Sequence, residues 1–258
     1  MIITFNKYQG TGNDFIIIDN RPEIFNPENH ELISNLCRRR FGIGADGLIL
    51  INKHPDYDFR MRYFNADGFE STMCGNGGRC AADFAFRNGI AGKTQRFLAS
   101  DGPHQAVIED ENVMLRMNDV KNIRTINGNH FIDTGSPHYV IFTKNADTVD
   151  VFEEGRKIRW SKDFEPQGTN VNFVELHRSS IYVRTYERGV EDETLSCGTG
   201  VTASAISAVL SGHFVSSPVN VRTRGGNLNV DFRVDGDIIS DIWLSGPAVC
   251  VFEGRIRV

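Results

Sequence analysis

Two cysteines carry the first chemical signal in this 258-residue chain. Cys74-Gly75-Asn76-Gly77 and Cys197-Gly198-Thr199-Gly200 share the form Cys-Gly-x-Gly, and each opens a stretch that reads as a helix. Those stretches, from Ala81 to Phe86 and from Val201 to Leu210, are apolar almost all round and so predict central, buried helices. A thiol at a helix N-terminus meets the positive end of the dipole and a set of backbone N–H groups. That setting lowers a thiol pKa from about 8.5 toward or below neutrality. The glycines admit a ligand close to the backbone, and the same N–H groups suit a carboxylate. Two such sulfurs on opposite faces of one α-carbon can take a proton from one side and return one from the other. This is stereoinversion by two monoprotic groups, with no cofactor. The charge that develops on the carboxylate falls where the N–H groups already point.

Other chemistries fit the residues less well. Cys74 and Cys80 are spaced as Cys-x5-Cys, which matches no common zinc pattern, and no histidine cluster completes four ligands. Cys-Gly-Asn-Gly-Gly-Arg lacks the Gly-Lys-Ser/Thr ending of a phosphate loop. Cys37, Cys80 and Cys250 read as buried packing thiols. The formal charge is −5, so nucleic acid is not an expected partner. Arg38-Arg39-Arg40 reads as a solvated face at a helix end. Five cysteines, an odd number, with no basic-then-apolar leader and no run of about 18 apolar residues, point to reduced thiols in the cytoplasm and to no membrane span.

The elements that must position the two turns repeat. Thr11-Gly12-Asn13 is echoed by Thr134-Gly135-Ser136, Cys74 by Cys197, and Arg60–Phe64 by Val183–Glu187, each 123 residues on. Strands are expected over 2–8, 15–19, 48–52, 59–64, 106–108, 113–117, 139–143, 171–176, 181–186, 219–223, 228–232, 238–244 and 248–253. Helices are expected from Asn26-Pro27-Glu28 to about Arg40, after Cys74, near Val149–Arg159 and after Cys197. The expected fold is therefore α+β. Two pseudo-repeated domains each wrap a mixed or antiparallel sheet around a central helix, with the active site in the cleft between them. One half covers residues 1–118 with a returning C-terminal strand at about 246–258; the other covers 119–245.

Along essentially its whole length the chain resembles diaminopimelate epimerases. The runs that carry the resemblance are Gly10-Thr-Gly-Asn-Asp-Phe15, Phe64-Asn-Ala-Asp-Gly68, Met73-Cys-Gly-Asn-Gly-Gly-Arg-Cys80, Gly135-Ser-Pro-His138, Thr169-Asn-Val-Asn-Phe173, Glu187-Arg-Gly189 and Leu195-Ser-Cys-Gly-Thr-Gly200. The resemblance implies interconversion of LL- and meso-diaminopimelate, toward lysine and peptidoglycan, with no pyridoxal phosphate and no metal. It implies Cys74 and Cys197 as the acid/base pair, with His138 and Glu187 assisting. It implies that Gly75, Asn76, Gly198 and Thr199 hold the reacting carboxylate. Asn13, Asn65, Asn170, Glu187 and Arg188 would line the rest of the pocket, and a homodimer is implied as well. Taken alone, those residues have simpler readings: Asn13 and Asn65 as turn formers, Glu187-Arg188 as a surface ion pair, Asn170 as a strand start, His138 as a strand-end histidine. The chain departs from the usual pattern at Ser136, where the family has Asn, and in one extra residue between Glu187 and Cys197. A two-cysteine racemase of another amino acid, or a non-catalytic thiol module, also accommodates the cysteine turns.

Overall fold

Apolar runs without polar alternation, such as Phe15-Ile-Ile-Ile18 and Leu48-Ile-Leu-Ile51, require a sheet covered on both faces. The computed structural model, which describes residues 2–258, supplies that cover twice. The chain divides into one unit of residues 1–115 with 246–258 and another of residues 116–245.

In the first unit the elements run β1 (Ile2–Gly10), β2 (Asn13–Asp19), α1 (His30–Cys37), β3 (Gly47–Asn52), β4 (Phe59–Asn65), β5 (Glu70–Ser71), α2 (Gly75–Arg87), β6 (Thr94–Ala99), β7 (Gly102–Glu109) and β8 (Asn112–Arg116). β2 and β3 are parallel, β3 and β4 antiparallel, and β4 and β6 parallel. Alternate residues of β2 and β3 face different helices. Ile16, Ile18, Leu48 and Leu50 pack with Ile33, Leu36 and Cys37 of α1. Phe15 and Ile49, with Met61 of β4, approach Gly77 of α2.

The second unit repeats the plan with β9 (Arg124–Ile126), β10 (Asn129–Asp133), β11 (Pro137–Thr143), α3 (Val151–Arg159), β12 (Asn170–Leu176), β13 (Ser180–Glu187), β14 (Asp192–Thr194), α4 (Gly198–Leu210), β15 (Val219–Thr223), β16 (Gly226–Asp235) and β17 (Ile238–Pro247). β11 and β12 are parallel, β12 and β13 antiparallel, and β13 and β15 parallel. α3 covers one face through Val151, packed with Val171, Phe173 and Tyr186. α4 covers the other, with Gly200 against His138 and Asn172. The last strand, β18 (Val249–Arg257), returns to the first unit and pairs antiparallel with β1. The fold is thus α+β, each unit wrapping a mixed sheet around a buried helix.

The 123-residue repeat is kept closely at the sites that matter. Phe15 pairs with Gly47 as His138 pairs with Asn170, and α2 and α4 start at Gly75 and Gly198. β4 and β13 depart by one position: Ile49 pairs with Tyr63, whereas Asn172 pairs with Thr185.

Several expectations need correction. α1 is shorter than Asn26–Arg40, because Asn26 closes a turn onto the Glu28 N–H and Asn29 is the residue that caps the helix, at the Leu32 N–H. Cys250 is half-exposed on β18 rather than buried, while Cys37 and Cys80 are buried. Burial pushes the Cys37 thiol up to about 12 and the Cys80 thiol well above its usual range. β5, β6, β9, β10 and β14 were not among the expected strands.

Close packing of α3 gives a stability test. A Cβ on Gly155 would lie 2.4 Å from the Cβ of buried Tyr186. Gly155→Ala should lower the denaturant midpoint, because overpacking of about 1–3 kcal/mol exceeds the helix-propensity gain of up to about 1 kcal/mol. An unchanged or higher midpoint would mean that this contact yields freely.

Candidate active site

Helices α1 and α3 are capped by side chains, Asn29 onto Leu32 N–H and Asp150 onto Glu153 N–H. Helices α2 and α4 are different. Their N-cap residues are Cys74 and Cys197, both extended, and neither thiol caps its helix. The two cysteines therefore stand at positive helix ends without using those ends themselves.

Around Cys74 the amides form a directed chain. The thiol donates to Asn13 Oδ1 at 3.5 Å, and Asn76 Nδ2 reaches the same oxygen at 3.5 Å. Asn13 Nδ2 donates to Asp46 at 2.6 Å, which fixes which way the amide points. Asp46 and Asp14 are in turn held by Arg39, and Asp14 also by Lys7. Burial alone would raise the Asp14 carboxyl, but the hydrogen bonds from Arg39 and Lys7 outweigh it and bring it down to about 2. Arg39 is thus more than a solvated basic face: it clamps Asp46, which orients Asn13, together with the neighbouring Asp14.

Arg79 lies under the same turn and is wholly buried. It donates to Asn76 Oδ1 at 3.0 Å, Thr11 Oγ1 at 3.4 Å and Gly75 O at 3.4 Å. Its Nε has no partner, and no carboxylate among the described residues bonds to it. Gly10 makes room for it, since a Cβ there would meet Asn76 O, Cys80 Sγ and the guanidinium within 3.4 Å. A guanidinium stays charged, so Arg79 adds a full charge to the partial charge of the α2 start. Asn65 heads a turn closed by its O to Gly68 N–H, exposed at the end of β4 beside Gly47.

Around Cys197 the network is neutral. Thr185 donates to Asn172 Oδ1 at 2.9 Å, so Asn172 presents its Nδ2 to His138 Nδ1 at 3.1 Å. With Nδ1 accepting, the proton sits on Nε2 and is donated to Thr199 Oγ1 at 2.8 Å. Thr199 Oγ1 also lies 3.4 Å from Cys197 Sγ, where it can accept from the thiol or donate its own proton to a thiolate. His138 reaches the cysteine through Thr199, a geometry suited to positioning. Burial pushes its imidazole down to about 3, and the Arg188 charge acts the same way.

A third cluster lies at the β11–β12–β13 edge. Asn170 donates to Ser136 Oγ at 2.9 Å and accepts from the Arg188 backbone N–H at 2.8 Å. Arg188 also approaches Ser136 Oγ at 3.4 Å, and Glu187 accepts from Thr194. Ser136, Asn170 and Arg188 are thus brought together within the second unit. Sequence reasoning missed Asn172, Arg79 and Arg39; a polar residue inside an apolar strand or helix was the available signal for the first two.

The model of the family described as diaminopimelate epimerase matches residues 5–123 and 130–251. The chain belongs to the diaminopimelate epimerase family. A relative from Flavobacterium psychrophilum named diaminopimelate epimerase is 49% identical, the match covering 97% of this chain and 98% of the relative. One of the same name from Chlorobaculum tepidum is 47% identical over 96% and 99%. Among solved structures, a Bacillus anthracis phenazine biosynthesis protein of the PhzF family superposes with TM-score 0.80 at 15% identity, covering all of both chains. A hydroxyproline epimerase from Agrobacterium vitis gives 0.71 at 12% identity, covering 99% and 92%. These structures share the fold. No helix among the described residues is long and apolar enough to cross a membrane.

Two measurements follow from the electrostatics. Arg79→Met removes a buried, unpaired charge, so it should raise the free energy of unfolding by about 1 kcal/mol or more, read from a higher denaturant midpoint, while lowering activity; a less stable variant would show that the charge is well compensated. For His138 the folded pKa lies below the unfolded value of about 6.5, so the unfolded chain binds the extra proton between pH 6.5 and 3. Stability is therefore lost as pH falls through 6.5. Between pH 7.5 and 5.0 the native protein should lose about 2 kcal/mol more than His138→Gln, read from urea midpoints.

Proposed function

We propose that this chain interconverts LL- and meso-diaminopimelate by proton transfer between Cys74 and Cys197, without a cofactor, in lysine and peptidoglycan precursor biosynthesis. The observation that carries the reading is the pair of cysteine N-caps on buried helices, repeated 123 residues apart in a chain of this family.

One sulfur, as thiolate, takes the α-proton. The C–H electron pair passes toward the α-carboxylate, whose charge is met by the N–H groups of the Gly75-Asn76 and Gly198-Thr199 turns. The other sulfur, as thiol, returns a proton to the opposite face, and the two protonation states are exchanged. The Thr199 hydroxyl, held by His138 and Asn172, stabilises Cys197 when it carries the negative charge. Arg188, with Asn170 and Ser136, receives the distal carboxylate. Asn13, Asn65 and Glu187 offer acceptors to the ammonium groups.

A thiol–thiolate pair works only when reduced, which suits a cytoplasmic setting. A second copy of the chain would cover the exposed Ile2, Val249 and Val251 of the β1–β18 pair, in keeping with a homodimer.

The decisive assay supplies LL-diaminopimelate in deuterated water, beside a panel of single-centred amino acids. Inversion with deuterium incorporation is expected for diaminopimelate. Cys74→Ala and Cys197→Ala should each reduce it about a thousandfold or more, whereas single Cys→Ser variants retain slow exchange at one face. Turnover confined to a single-centred amino acid would replace this substrate with another; full activity in Cys74→Ala would remove the mechanism.

A further inference from the structure

Arg188 projects from a turn that is unusual in its construction. Glu191 closes it with φ of 58°, a left-handed conformation uncommon for a residue other than glycine. What holds Glu191 there is visible in its partners. Its N–H donates to Glu187 O at 2.8 Å. Its carboxylate accepts from the Gly189 N–H at 2.9 Å, from the Tyr186 hydroxyl at 3.2 Å, and from Arg159 Nε and Nη2 at 3.2 and 3.1 Å. Burial works to raise this carboxyl, and Gly189, Arg159 and Tyr186 together bring it below its usual range.

Arg159, the last residue of α3, is itself buried and has a second attachment. Its Nη1 donates to Gln167 O at 3.0 Å. The guanidinium fills the space beside Gly168, where a Cβ would fall 1.4 Å from Nη1 and where φ is +66°. Gln167-Gly168 leads directly into Thr169 and Asn170, and Asn170 Oδ1 accepts the Arg188 N–H. One guanidinium therefore ties together the two chain segments that carry Asn170 and Arg188. Neither Arg159 nor Glu191 belongs to the cysteine turns.

Resting on the function proposed above, we infer that the Arg159–Glu191 ion pair is a positioning device that aims Arg188, and so governs recognition of the substrate's distal carboxylate. Its loss leaves the cysteines and Glu187 in place, the latter held on β13 by Thr194, and lets Arg188 reorient. Binding of a two-headed substrate suffers; the chemistry at the α-carbon does not.

The test uses the full chain as wild type, Glu191→Gln, Arg159→Met and Arg159→Lys. KM and kcat for LL-diaminopimelate are measured together with the rate of iodoacetamide alkylation at Cys197, followed by peptide mass spectrometry on reduced protein. Glu191→Gln and Arg159→Met should raise KM about tenfold or more with kcat within about threefold, and alkylation should not change. Arg159→Lys should recover part of the loss. Unchanged KM in both variants overturns the inference. So does a joint fall in kcat and change in alkylation, which marks general loosening. Glu191→Gln is isosteric and remains informative if Arg159→Met fails to fold. A wild type inactive on diaminopimelate would overturn the function, and this inference with it; an active wild type with insensitive variants overturns only the role of the ion pair.

Discussion

The whole arrangement rests on two buried helix starts that no side chain of their own caps. A helix N-terminus ordinarily spends its N–H groups on a Ser, Thr, Asp or Asn, as α1 and α3 do here. Giving that place to cysteine at Cys74 and Cys197 leaves the positive ends of α2 and α4 for an external anion. The rest of each unit serves to bury a helix and present its start. Parallel pairing of β2 with β3, and of β11 with β12, sets paired strand residues under each helix start, and glycines at Gly77 and Gly200 allow the close approach.

The repeat gives the two units a common backbone, but the residues beneath the cysteines diverge. Phe15 and Ile49 lie against Gly77, while their equivalents 123 residues on, His138 and Asn172, lie against Gly200. Arg79 has Thr202 as its equivalent, whose hydroxyl simply returns to Gly198 O. The Cys74 turn is therefore backed by a buried positive charge, and the Cys197 turn by a neutral relay ending in Thr199. The backbone is nearly symmetric and the electrostatics are not.

This difference also explains which parts could be read from sequence. The repeat, the two buried helices and most strands announce themselves through apolar runs and a constant spacing. β6 and β10 do not. In β6 the inward positions include Gln95, whose amide serves Ala82 O and Gly92 O. In β10 His130 bonds Ser207 of α4. Both are polar residues placed where the strand pattern calls for apolar ones. The site divides along the same line. Cys74, Cys197 and their glycines stand out because the motif is local, whereas Arg39, Asn172 and Glu191 act through partners far away in sequence. Arg39 falls in a basic run that ordinary composition explains, and only the fold shows Asp14 and Asp46 beside it.

The polar set outside the cysteine turns repeats in position and differs in charge. Asn13, Gly47 and Asn65 count forward to Ser136, Asn170 and Arg188. In the first unit these are two amides and a residue with no side chain; in the second, a hydroxyl, an amide and a guanidinium. A cation at only one of two equivalent places breaks the pseudosymmetry in a way that a two-headed, doubly charged substrate can sense. If the reacting carboxylate is held as proposed, it has a helix start available in each unit and gives little preference for orientation. On the proposed function, the distal carboxylate meets its guanidinium at Arg188, in the second unit. Orientation of the substrate then depends on Arg188 being held, and the surrounding residues concentrate on doing that: Asn170 fixes its backbone, Ser136 meets its side chain, and Glu191 closes the turn behind it. On that proposal, a duplicated scaffold inverts one centre of a nearly symmetric molecule, with the common backbone carrying both cysteines and the single cation at Arg188 supplying direction.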